Sequence, residues 1–116
     1  MPLQPEILSE ERIDAGLRLQ LRVPATLDHF EGHFPGLPIL PGVVQLDWAI
    51  QIATRHFAID TPFNALENLK FQAPVQPELE LSLELNWDAD RKRLEFLYRT
   101  GDRKHSSGRV CFGAQP

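Results

Sequence analysis

Pro41-Gly42-Val43-Val44-Gln45-Leu46-Asp47-Trp48-Ala49-Ile50-Gln51-Ile52-Ala53-Thr54-Arg55-His56-Phe57 decides the architecture of this chain. Its apolar residues lie around nearly the whole helical wheel, and a helix apolar on almost every side is a buried one. Gln45, Asp47, Gln51 and Arg55 interrupt the run, which is also too short to cross a bilayer. A buried helix needs a cover, and the flanking sequence offers strands with one apolar face.

Upstream, Ile13, Ala15, Leu17, Leu19, Leu21 and Val23 alternate with Arg18, Gln20 and Arg22, the period of a half-buried strand that Pro24 ends. Downstream, Leu79, Leu81, Leu83, Leu85 and Trp87 alternate with Glu78, Glu80, Ser82, Glu84 and Asn86. A turn over Asp88 to Lys92 leads to Leu94, Phe96 and Tyr98, and Gly101-Asp102 turns the chain into a last strand near Ser106 to Phe112. These three strands form a meander. Leu66, Leu69 and Phe71 suggest one more short strand, ended by Pro74 and Pro77. The expectation is an α+β fold, one antiparallel sheet wrapped around one long buried helix, with residues 1–116 as a single domain.

Composition narrows the function. Apolar residues make up 42% and charged residues 24%, the balance of a globular protein rather than a disordered one. A net charge of -4 disfavours nucleic acid, which calls for a basic surface. Cys111 is the lone cysteine, and the start MPLQPEILSE has neither the basic nor the apolar region of a secretory signal, so a reducing cytoplasm is expected. The segment from Pro24 to Pro41 is long for a loop in a compact domain and rich in histidine, proline and glycine, as in a loop held in one shape for a purpose.

That loop and the helix read Gly32-His33-Phe34-Pro35-Gly36-Leu37-Pro38-Ile39-Leu40-Pro41-Gly42-Val43, with Asp47 fourteen positions after His33 and Gln51 four beyond Asp47. The pattern resembles the 3-hydroxyacyl-[acyl-carrier-protein] dehydratases of the FabZ and FabA type. Gly42-Val43-Val44-Gln45-Leu46-Asp47-Trp48-Ala49 and the short chain further resemble the small thioester dehydratases of aryl-polyene biosynthesis. The resemblance implies a hot-dog fold and a dimer in which His33 of one chain faces Asp47 of the other. It also implies a substrate carried on the phosphopantetheine arm of acyl carrier protein, with no metal or redox cofactor. A larger assembly, or a hetero-oligomer with another hot-dog subunit, is compatible with it.

Dehydration needs a base for the C2 proton, an acid for the departing hydroxyl and a donor for the thioester carbonyl. His33 suits the base, because imidazole titrates near neutrality, and without its motif a loop histidine is an ordinary structural residue. Asp47, set inside an apolar helix, is expected to have a raised pKa and to serve as the acid; the FabZ branch has glutamate here and the FabA branch aspartate. Gln51, one turn on, either orients that carboxyl or simply edges the core. Gly42 opens the helix, where a free amide can hold the carbonyl oxygen, or it serves only to make a turn. The resemblance adds Phe34 and Pro41 to the substrate-binding set.

Other chemistry is less well supported. His29 and His33 bracket Glu31, but Gly32 and Pro35 oppose the helix a metal site of that spacing requires. Cys111 reads as a small buried packing residue, Ser106 and Ser107 lack a nucleophile elbow, and His56 and His105 read as surface residues. Arg91, Lys92 and Arg93, with Arg103 and Lys104, mark two basic turns that either solvate or meet an acidic carrier protein. The alternatives to dehydration are thioester hydrolysis on the same fold and a non-catalytic acyl-binding subunit.

Overall fold

A computed structural model describes residues 4–14, 16–24, 40–76 and 78–113. Among them the chain forms β1 (Glu6–Ile13), β2 (Gly16–Arg22), α1 (Gly42–His56), β3 (Phe63–Phe71), β4 (Glu80–Asp88), β5 (Arg93–Thr100) and β6 (Arg103–Phe112). The strands make one antiparallel sheet in the order β1-β2-β4-β5-β6-β3. This is the hot-dog arrangement, with the β4-β5-β6 meander at its centre as expected.

Alternation sets the inner face. Leu17, Leu19 and Leu21 of β2 pair with Leu85, Leu83 and Leu81 of β4, and Leu83 and Leu85 pair in turn with Tyr98 and Phe96 of β5. All of these are buried, against Val44, Trp48, Ala49, Ile52 and Ala53 of the helix. Burying each large apolar side chain is worth about 1.5–3 kcal/mol, so this slab dominates the core. The outer face carries charge in cross-strand sets: Arg18 with Glu11 and Glu84, Glu84 with Arg99, Arg22 with Glu6 and Glu80, and Arg109 with Glu67 and Glu95.

The helix begins after Pro41 and ends in a left-handed Ala58 (φ +51), where Ile59 N–H reaches back to Thr54 O at 3.3 Å. That is a Schellman ending without glycine. Arg55 and His56 lie in the last turn, where the helix dipole favours positive charge.

Several expectations are corrected. The first alternation is not one strand: the chain turns at Asp14 (φ +40), and Ile13 belongs to β1, which the sequence reading missed. Ile13 pairs with Gly16, and paired residues share a face, so it stands apart from the leucine face of β2. The strand after the helix is longer than expected, and β6 starts at Arg103. Among the described residues the sheet covers one side of the helix, and on another Val43 is 72% exposed and Asp47 is exposed. The edge strand β3 beside it leaves Phe63, Leu69 and Phe71 exposed.

His105 is buried rather than superficial. Its Nδ1 donates to Pro74 O (3.1 Å), since a carbonyl can only accept, which leaves Nε2 to accept from Thr100 Oγ1 (2.7 Å). His56 is at the surface as expected, 3.5 Å from Glu10. Cys111 is half-buried rather than enclosed. No helix among the described residues is long and apolar enough to cross a membrane.

Candidate active site

His33 and Phe34 lie outside the described residues. The points where the chain enters and leaves their segment are fixed, both by the connection between β3 and β4. Val23 exchanges hydrogen bonds with Leu79 O (3.0 Å) and Glu78 N (2.7 Å), and Leu40 N–H donates to Val75 O at 2.7 Å. His105 holds that connection in turn, its carbonyl accepting from Gln72 and Ala73.

From Leu40 the chain passes Pro41, in extended geometry at φ -59 and ψ 145, into the first turn of α1. Val44 and Gln45 N–H both donate to Pro41 O, at 3.1 and 3.2 Å. The Gly42 and Val43 amides precede any helical acceptor, which is the position a carbonyl-gripping donor needs. The ring of Phe71 lies over Gly42, and a β-carbon there would overlap it. Any larger residue at this position would have to displace the exposed Phe71 ring.

Asp47 and Gln51 share one face of α1, and Gln51 Nε2 donates to Asp47 Oδ2 at 2.6 Å. Gln51 Oε1 accepts in turn from Gln4 Nε2 at 3.2 Å. Gln51 is thus in contact with the carboxylate and also half-buried at the edge of the core. The buried setting expected for Asp47 is not found among the described residues, where Asp47 is exposed. Its charge still reaches the interior: burial first, and then Asp47, push the Tyr98 phenol well above its usual range.

Val43, Asp47 and Gln51 follow one another at four-residue spacing along α1, Val43 and Asp47 exposed and Gln51 half-buried, while Pro41 and Gly42 form the half-buried start of the helix beside Phe71. Among the described residues, the helix thus presents a hydrogen-bonded carboxyl, two first-turn amides without a helical acceptor and exposed apolar side chains at Val43 and Phe71. The sequence reading assigned no role to Gln45, a buried residue tied to Leu40 and Ser106, or to Gln4; Ser106 and Gln51, which they reach, are distant from them in the chain.

The profile of the ApeI-like family, described as ApeI dehydratase, matches residues 9–109. The chain belongs to the ApeI-like dehydratase family. It is 33% identical over 109 residues to the 3-hydroxyacyl-[acyl-carrier-protein] dehydratase FabZ of Erythrobacter litoralis, covering 81% of this chain and 72% of that one. Among solved structures, the ApeI:P dehydratase heterocomplex of Xenorhabdus doucetiae matches with a TM-score of 0.89 and 35% identity, over 97% of this chain and 100% of that chain. An uncharacterised protein from Erwinia carotovora subsp. atroseptica matches with a TM-score of 0.82 and 39% identity, over 94% and 95%. As an ApeI-like dehydratase the chain is an enzyme that removes water, on a hot-dog fold.

Proposed function

We propose that this ApeI-like dehydratase converts a 3-hydroxyacyl thioester on acyl carrier protein to the trans-2-enoyl thioester, with His33 as base and Asp47 as acid. His33 takes the C2 proton, the C2–H electrons form the C2=C3 double bond, and the C3–O bond breaks as Asp47 gives its proton to the leaving hydroxyl. The Gly42 amide holds the thioester oxygen while charge gathers there. The elimination is redox-neutral, so it requires no redox cofactor; phosphopantetheine belongs to the substrate.

The observation that carries this reading is the Asp47–Gln51 pair on an uncovered helix face beside Gly42. The same exposure argues for a second subunit. Val43, Phe71, Leu69 and Phe63 form an apolar margin along the helix start and the β3 edge, of the kind that marks an interaction site. A second copy joined there would bring another chain's His33 segment to Asp47 and close the carboxyl off from water. The Xenorhabdus heterocomplex favours a related subunit as an alternative occupant. The lone cysteine, Cys111, fits a cytoplasmic setting.

The test is to supply a 3-hydroxyacyl carrier-protein thioester and follow enoyl absorbance and free thiol in parallel. Enoyl product without thiol is expected. Thiol release would replace dehydration by hydrolysis, and binding without either product would make the chain a silent acyl-binding subunit.

A further inference from the structure

We infer that Gln45 is a positioning residue for dehydration: its buried carboxamide clamps the Leu40–Pro41–Gly42 corner to the sheet and so aims the helix-opening amide. This rests on the proposed dehydration, in which Asp47 is the acid and the Gly42 amide receives the thioester carbonyl.

Gln45 is 3% exposed and lies on the inward face of α1 beside Val44, Trp48 and Ala49, where an apolar side chain is the ordinary occupant. Its polar groups are all engaged. Nε2 donates to Leu40 O at 3.1 Å, Oε1 accepts from Ser106 Oγ at 2.7 Å, and the main-chain carbonyl accepts from Tyr98 Oη at 2.6 Å. The orientation of the amide follows, because Leu40 O can only accept. With Leu40 N–H held by Val75 O at 2.7 Å, both main-chain polar groups of Leu40 are committed. Proline then fixes the next φ, at -59. The direction of the Gly42 N–H is therefore set by three parts of the sheet: Ser106 of β6, Tyr98 of β5 and the β3–β4 connection.

Stability does not explain the choice of residue. A buried hydrogen-bonded amide gains little over a well-packed apolar side chain of the same volume, such as methionine. What the amide adds is direction, and small errors in aim are costly in a reaction that depends on alignment.

The test measures steady-state kinetics of Gln45→Met and Ser106→Ala on a 3-hydroxyacyl N-acetylcysteamine thioester, well below each melting midpoint. Gln45→Met is expected to lower kcat about tenfold or more with KM within about threefold. Ser106→Ala removes only the outer bond and leaves the core shape intact, so it keeps the question answerable if Gln45→Met does not fold; it is expected to lower kcat about threefold or more. A fall in Tm with wild-type kcat per folded molecule, or wild-type kcat in both variants, overturns the inference. Asp47→Asn serves as the control. An inactive Asp47→Asn beside a fully active Gln45→Met refutes the positioning role alone, whereas an active Asp47→Asn removes the parent reading.

Discussion

Replacing Asp47 by asparagine should separate chemistry from folding cleanly. Asp47 is exposed on its own chain, and its hydrogen bond with a neighbouring side chain comes from Gln51 Nε2 at 2.6 Å. Asparagine still offers an oxygen to that donor. Helical side-chain pairs at this spacing are worth about 0.2–0.5 kcal/mol, which in a domain of this size moves Tm by only about 1–2 °C. Catalysis loses its proton donor altogether. A positioned acid contributes about 10² to 10⁴ in rate, equivalent to about 2.7–5.5 kcal/mol of barrier, so kcat should fall by that factor. Thermal melts by circular dichroism and enoyl formation from one preparation decide the matter. Activity above about a tenth of wild type in a folded Asp47→Asn protein would refute Asp47 as the acid.

Further consequences follow from the fold. Tyr98 is the only tyrosine, and its folded pKa lies above the unfolded value of about 10, so stability is complete below that pH and is lost as pH rises beyond it. Phenolate absorbance should therefore appear together with loss of secondary structure; ionisation in the folded state would contradict the burial. Ala58→Gly should raise stability by about 0.5–1 kcal/mol, since Ala58 has φ +51 and glycine adopts it without strain, and a lower denaturant midpoint would argue against the Schellman ending. Val43→Glu places an acid in the first turn of α1, where the dipole favours it by about 0.3–1 kcal/mol, so the lone chain should stay folded while assembly and activity are lost; sedimentation showing an intact active oligomer would clear that face of any partner.

The sequence exposed the leucine faces because β2, β4 and β5 each bury every second residue, and period two survives in any window. β1 escaped because nearly all its residues are exposed, so nothing in Glu6–Ile13 had to alternate. The helix looked enclosed because apolar residues lie all round its wheel, whereas among the described residues Val43 at its start is left exposed; the proposed second subunit would account for that composition. Of the candidate site, the Asp47–Gln51 pair was legible from helical spacing alone. His105 and Gln45 were not, since their meaning depends on Thr100, Pro74, Ser106 and Leu40, contacts that no local pattern encodes.

The claim on which everything turns is that His33 and Asp47 act across a subunit boundary. Two differently tagged chains, one His33→Ala and one Asp47→Asn, can be co-expressed and the doubly tagged dimer purified. Each mixed dimer should contain one site with both side chains intact, so it should show about half of wild-type activity although either parent alone is nearly inactive. A mixed dimer as inactive as its parents would show that the two residues do not meet between chains.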